Sequence, residues 1–386
     1  MSDNLNASVP YDASDLLHLG KPAQGIRVVV AMSGGVDSSV VAALLKEAGY
    51  DVVGLTMQLY DHGEVIDRKK ACCAGQDIYD ARQVADRLNF PHYVLDYESR
   101  FKEAVIDDFA DRYLAGETPI PCVKCNQEVK FKDLLTTARD LGGEVLATGH
   151  YVGWKTHQGK AEMHRAIDPD RDQSYFLFNT TQDQLEFLRF PLGGMLKSET
   201  RAHAQRFGLN VADKPDSQDI CFVPNGDYAR VVERLRPGAL EAGDIIHQDG
   251  TILGRHNGII NYTIGQRRGL GVSHATGLPL YVIKIIPYLH QVIVGPKEAL
   301  GCRKIILNMI NWLGEAVEAE SSSHQLQVKI RSSQNPVNAT VHLKHDKRAE
   351  VVFDQLEYGV SPGQACVFYQ CNKMMGGGWI EQTDCQ

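Results

Sequence analysis

The 386-residue chain has no apolar run close to the roughly 20 residues that cross a bilayer, so no membrane-spanning helix is expected. Its first 24 residues lack the basic start and apolar stretch of a secretory signal, and are expected to be a flexible extension of a cytoplasmic protein. Cationic excess is missing too. Forty Lys and Arg against 48 Asp and Glu leave a net charge of −8, which argues against bulk electrostatic binding to nucleic acid. A local basic groove remains open, because phosphate contacts need only a handful of well-placed cations. There is no long-period repeat and no low-complexity tract. Nine dispersed cysteines, an odd number, suit a reducing compartment rather than a disulfide framework. Hydrophobic residues at 43% and charged residues at 23% describe a globular protein, and the length suits two or three domains.

What is present begins with Ser33-Gly34-Gly35-Val36-Asp37-Ser38-Ser39. It follows an apolar run, 26–32, with strand character and opens a helical stretch, 40–48, that stops at Gly49. Strand, glycine turn and helix make a phosphate cradle, since the glycines admit an anion and the helix start favours negative charge. The alternative is an ordinary strand-to-helix turn capped by Ser33. No lysine follows the glycines, so this is not the Walker A loop that holds a γ-phosphate. The run resembles the PP-loop of ATP pyrophosphatases, which cleave ATP between the α- and β-phosphates. The resemblance implies that Ser33, Gly34, Gly35, Val36, Asp37 and Ser38 surround the leaving pyrophosphate, with Ala31 and Met32 beside them. Asp37 would help to place Mg²⁺.

Along the first half, strands at 51–57, 92–96 and 144–150 alternate with helical stretches at 77–88, 101–114 and 130–141, as in βαβ units around a parallel sheet. Ligands of such sheets lie beyond the strand carboxyl ends, where Ser33, Met57 and Gly149 would meet. Helices at 182–190 and 196–207 would complete the domain. Residues 238–300 are rich in glycine and short β-like pieces such as 258–260 and 280–285. Beyond 307, short apolar runs recur every 11 to 15 residues, pointing to a small antiparallel barrel or sandwich. The Gly376-Gly377-Gly378 run reads as a tight turn. The expected division is an extension at 1–24, a parallel-sheet α/β nucleotide domain at 25–215, a small β-rich domain at 216–300 and an antiparallel β-barrel at 301–386.

Two cysteines carry further chemistry. Cys125 sits in a proline-rigidified loop, 118–126, just ahead of a helix, and a thiol there beside Lys124 is expected to have a lowered pKa. Cys221 lies 96 residues later. Inert thiols are expected at Cys72, Cys73, Cys302, Cys366, Cys371 and Cys385.

The segments 125–131, 147–151, 172–176, 216–222 and 263–271, in that order after the loop, make the chain similar to tRNA-specific 2-thiouridylases from about Arg27 onward. Members of that family replace the C2 oxygen of the tRNA wobble uridine with sulfur. The resemblance implies adenylation of that oxygen by ATP, then attack by a persulfide on Cys221, loaded by a sulfur-relay protein. Cys125 would complete transfer as nucleophile or by forming a disulfide with Cys221, and Asp219 would serve as acid or base or cap a local turn. Met57 and Gly149 would line the adenosine pocket. Ile120, Pro121 and Cys122 would cradle a flipped uridine. His150, Arg171, Asp172 and Gln173 would contact tRNA, as would Arg331, Ser332 and Gln364 from the C-terminal barrel. Some family members carry Asp where this chain has Cys122. Cys122, Cys125 and Cys221 could therefore hold a [4Fe–4S] cluster with one open iron, the alternative to the persulfide route. A zinc site lacks an evident fourth ligand. Another PP-loop adenylating synthetase would share the loop without needing paired thiols.

Overall fold

A computed structural model describes residues 16–59, 73–216, 220–223, 226–275, 277–315 and 322–385, with the backbone alone at 73, 74 and 385. Val28, Val29 and Val30 are fully buried in strand β1 (Arg27–Ala31), as expected for a parallel strand covered on both faces. Helix α1 (Val36–Glu47) leads to β2 (Asp51–Gln58), and α2 (Cys73–Leu88) leads to β3 (His92–Asp96). A helical run follows as α3 (Glu98–Phe101), a π-helical stretch over Lys102–Ile106, and α4 (Asp107–Leu114). Next come α5 (Pro121–Lys124), a second π-helical stretch over Cys125–Leu134, and α6 (Leu135–Asp140), which returns the chain to β4 (Val145–Thr148).

The five parallel strands run in the order β3-β2-β1-β4-β7, with β7 at Leu188–Arg189. β1 lies between β2 and β4, so chain order reverses beside it and a crevice opens at its carboxyl end. The helix expected at 182–190 is shorter: α7 covers Gln182–Phe187, and Leu188 and Arg189 leave it to pair with β4. Helix α8 spans Lys197–Arg206 and α9 spans Tyr228–Leu235. Within the expected extension, Leu16, Leu17 and Ala23 join the core beneath α1, and Arg189 donates to the Leu17 carbonyl at 2.6 Å. Those residues are packed. No helix of the described residues is long and apolar enough to cross a membrane.

A hairpin of β5 (Gly153–His157) and β6 (Lys160–His164) leaves the first domain and joins the C-terminal sheet through Lys373. The middle sheet orders β8 (Gly243–His247), β9 (Ile252–His256), β10 (Tyr281–Ile286) and β11 (Gln291–Gly295) as β10-β11-β8-β9. Residues 258–260 are not β-like. Gly258 adopts φ +142°, and Ile259–Asn261 forms a single 3₁₀ turn.

Six antiparallel strands close a barrel: β12 (Gly301–Trp312), β13 (Ser322–Lys329), β14 (Val337–Lys344), β15 (Arg348–Tyr358), β16 (Ala365–Gln370) and β17 (Lys373–Cys385). The glycine run expected as a turn lies inside β17, paired with both β12 and β16. A Cβ on Gly376 would fall 2.0 Å from the Asn311 carbonyl oxygen, and one on Gly378 would fall 2.4 Å from Ile310 Cδ1. Close strand approach, rather than a reversal, requires these glycines. The barrel docks on the first domain through Thr118, whose N–H donates to Pro362 O at 3.0 Å, and through Tyr175, whose hydroxyl donates to Ala365 O at 3.1 Å.

Candidate active site

The glycine loop turns at the carboxyl end of β1. Gly34 has φ +72°, and a Cβ there would fall 2.1 Å from the Asp77 carbonyl oxygen, so both conformation and space demand glycine. Gly35 is the extended residue before α1 and makes no side-chain cap, which leaves the first amides of α1 without a cap from that residue. Ser38 Oγ accepts from Ser33 N at 3.1 Å and folds the loop on itself. At the end of β4, a Cβ on Gly149 would fall 2.7 Å from Ser38 N, so the expected adenosine-pocket glycine packs against the loop. Met32 donates its N–H to Leu55 O across the sheet, while Ala31 and Met57 are only partly buried nearby.

The charges around this loop were not legible in the sequence. Asp37 receives Lys197 Nζ at 2.7 and 2.9 Å and the Tyr151 hydroxyl at 3.1 Å. Lys197 also reaches Asp216 at 2.8 Å, and Asp216 is further paired with Arg171 at 2.8 Å and Arg201 at 3.2 Å. Burial opposes ionisation of Asp216, but the Lys197 hydrogen bond and these cations hold its carboxyl below the usual range. Lys214 clamps the loop from another side, donating to Gly34 O at 2.9 Å, Asp77 at 2.7 Å and Asp80 at 2.6 Å. Lysines 160 and 180 positions beyond the loop leave no local sequence signal.

The thiol end of the crevice differs from expectation. Pro121 is the first residue of α5, so Cys122 and Cys125 lie within the helix rather than ahead of it. Lys124 turns away, its ammonium 3.9 Å from Asp108 and 6.0 Å from the centre of the Trp379 ring. Burial therefore pushes the Cys125 thiol up, the reverse of the lowered pKa expected, with Lys130 opposing the rise and Cys122 adding to it. Cys221 reaches solvent, but the protein around its sulfur raises its thiol to about 12, with Cys125 and Cys122 contributing and Lys130 opposing. These mutual effects put all three cysteines in one electrostatic neighbourhood. Phe222 anchors the Cys221 segment, its ring edge-on to Phe101 and Phe109 at 5.8 and 5.2 Å. Lys130 is the missed cation here. The π-helical stretch closes i→i+5 bonds, which bring residue 130 round to the face of residue 125, whereas α-helical geometry would set them about 140° apart.

Among the described residues the three cysteine sulfurs do not all lie within 4.8 Å of one another, so a single zinc ion has no ready ligand set there. Three soft donors from two segments still suit an iron–sulfur cluster by type. His247, Asp249 and His274, in the middle domain, do come within that distance. Their imidazoles stack face to face, 4.0 Å apart and tilted by 10°, so one ion could not lie near both ring planes. The carboxylate instead bridges the rings at 2.9 and 3.5 Å.

The remaining expected residues divide by their bonds. His150 is held by Thr148 at 2.8 Å; burial, aided by Lys130, lowers its pKa to about 3, so it is neutral. Asp172 accepts from Ala166 N, Ser174 N and Ser174 Oγ, and Gln173 accepts from Tyr151 N, so both brace the site wall. Gln364 donates to Thr118 O at 2.8 Å and fixes the segment leading to Ile120, Pro121 and Cys122. Of these three, Pro121 is buried and Cys122 exposed. Arg331 and Ser332 are exposed at the rim of the barrel. Asp219 lies outside the described residues, as does Cys72, and the Cys73 and Cys385 side chains are likewise undescribed. Cys302 and Cys366 are buried, and Cys371 is exposed.

Comparison with known proteins covers almost the whole chain. Residues 26–225 match a family model described as a tRNA methyl transferase HUP domain, 232–296 its PRC-barrel domain, and 302–380 an aminomethyltransferase beta-barrel domain. The chain is 60% identical over 374 residues to the tRNA-specific 2-thiouridylase MnmA of Rhodospirillum centenum, covering 95% of each. It is 57% identical over 380 residues to the MnmA of Paracoccus denitrificans, covering 98% of this chain and 97% of that one.

Proposed function

The chain belongs to the tRNA-specific 2-thiouridylase family, and on that premise we propose that it replaces the C2 oxygen of a tRNA wobble uridine with sulfur, consuming ATP. The observation that carries this reading is that Lys130 acts on Cys125, on Cys221 and on His150, whose neighbour Gly149 packs against the glycine loop, so two cysteine-bearing segments and the loop are linked through one cation.

The chemistry divides between the two ends. The first amides of α1 and the Gly34-Gly35 turn receive the phosphates, while Gly149 lets the β4 end pack against the loop. Asp37 supplies a hard carboxylate oxygen, the donor type Mg²⁺ accepts alongside substrate phosphates, and the bound ion would neutralise phosphate charge. The uridine C2 oxygen attacks the α-phosphorus, pyrophosphate departs, and the oxygen becomes an adenylate that leaves readily. A terminal persulfide sulfur on Cys221 then forms the C–S bond as AMP leaves. The Cys125 thiolate attacks the Cys221 sulfur, which forms the Cys125–Cys221 disulfide and releases the thiolated base; a dithiol reductant reopens the disulfide. Lys130 favours the anionic sulfur that each of these steps needs. Arg331 and Ser332 would meet the tRNA backbone, and the 120–122 segment would hold the extruded uridine. A cytoplasmic setting suits the tRNA substrate and the reduced thiols.

A persulfide donor protein is the sulfur source in this reading. The decisive experiment supplies ATP, tRNA and a persulfide donor and measures pyrophosphate and 2-thiouridine. Cys125→Ser and Cys221→Ser should each form pyrophosphate but no 2-thiouridine, and thiolation by either variant sinks the assignment. Cys122→Ser should keep substantial thiolation. If it loses bound iron and sulfide-dependent thiolation together, the three-cysteine cluster replaces the persulfide route.

A further inference from the structure

The phosphate loop has no lysine of its own, yet an ammonium reaches it from 160 residues along the chain. Lys197 is the first residue of α8. Its backbone N–H donates to Asp168 at 2.9 Å, and Glu199 accepts from Leu196 N at 2.7 Å, so the helix start is fixed. From that anchor the Lys197 side chain, only 11% exposed, reaches both oxygens of Asp37 and one of Asp216. Asp37 lies in the first turn of α1, beside amides that Gly35 leaves without a side-chain cap. Lys197 is thus shared between the Asp37 and Asp216 carboxylates, and Asp216 has Arg171 and Arg201 as further partners, so Asp216 stays paired when the Lys197 ammonium turns to a phosphate.

We propose that Lys197 contacts the phosphates of ATP, supplying from another helix the cation that a Walker loop carries within itself. The inference rests on the ATP-consuming reading above. As the uridine oxygen bonds to the α-phosphorus, the bond from that phosphorus to the bridging oxygen breaks, and its electron pair leaves with pyrophosphate. Lys197 stabilises the charge that grows on that leaving group. Its second contact, to Asp216, lies five residues before Cys221, so the same ammonium ties the loop to the segment that carries the sulfur.

The test compares Lys197→Met, Lys197→Arg and the double variant Lys197→Met/Asp216→Asn for pyrophosphate release with ATP and tRNA. Lys197→Met should lose about 10²–10³-fold in kcat, the scale for removing one preorganised charge-stabilising group. Lys197→Arg should recover part of the loss. The double variant removes one charge of each sign, so it should stay inactive; it also carries the test if Lys197→Met alone does not fold. Recovery by the double variant would show that Lys197 merely neutralises Asp216. That result, or a single variant within about threefold of the parent, overturns the proposal. Calorimetry with ATP alone is read beside it. If the parent protein releases no pyrophosphate with tRNA, the functional reading fails; unchanged ATP affinity in Lys197→Met then overturns this proposal separately, and weakened affinity upholds it.

Discussion

Replacing Gly149 by alanine probes how closely the phosphate loop is tolerated against β4. The added Cβ would stand 2.7 Å from Ser38 N, 3.0 Å from Asp37 C and 3.1 Å from Asp37 Cβ. An ordinary contact begins near 3.4 Å, so the loop must retreat by about 0.7 Å, and the atoms in its way are backbone rather than a flexible side-chain tip. Misplacing a positioned group by about 1 Å costs on the order of 100-fold in rate, which sets the expectation at about 30- to 100-fold in kcat for pyrophosphate release. Overpacking of this kind also destabilises by roughly 1–3 kcal/mol. The assay is tRNA-dependent pyrophosphate formation at saturating ATP, with tRNA binding measured alongside and expected to change little. Gly194→Ala is the control, since a Cβ there meets nothing within 4 Å. Equal activity of the two variants would refute the claim that Gly149 is glycine because the loop packs on it.

Three further outcomes are expected. Lys130→Gln should slow single-turnover sulfur transfer from persulfide-loaded protein about tenfold or more, with Lys130→Arg restoring much of it; an unchanged rate would remove Lys130 from the sulfur chemistry. The unfolded chain protonates His150 below about 6.5, whereas the folded site resists until about 3. Stability from that group is therefore complete above about 6.5 and is lost as pH falls toward 3. His150→Asn should flatten the fall in urea midpoint between pH 7 and 5, and an identical fall in both proteins would refute the reading. Arg331→Ala should weaken tRNA binding and reduce the salt slope by about one, as for one lost phosphate contact; an unaltered slope would take Arg331 off the RNA surface.

Much of this protein is local, and locality is what a sequence expresses. The Val28-Val29-Val30 run, the glycine pair and the α1 helix specify a strand, a turn and a helix start from residues within a few positions of one another. The same holds for the alternating runs of β14 and the first half of β15, whose period follows from one buried face. Errors arose where distant segments overrode a local signal. Gly376 to Gly378 look like a turn until β12 and β16 close on them, and Leu188 leaves its helix because β4 offers a strand partner.

The candidate site was legible as motifs but not as electrostatics. Cys125 beside Lys124 suggests an acidified thiol, yet helix geometry sends Lys124 toward Asp108 and burial then decides the sign. The sequence by itself determined the loop, the cysteines and the family, because each is written in contiguous residues. Only the tertiary structure decided which charges face them. Lys197, Lys214 and Lys130 act through space, and Coulomb energy depends on separation and burial, which no spacing along the chain encodes.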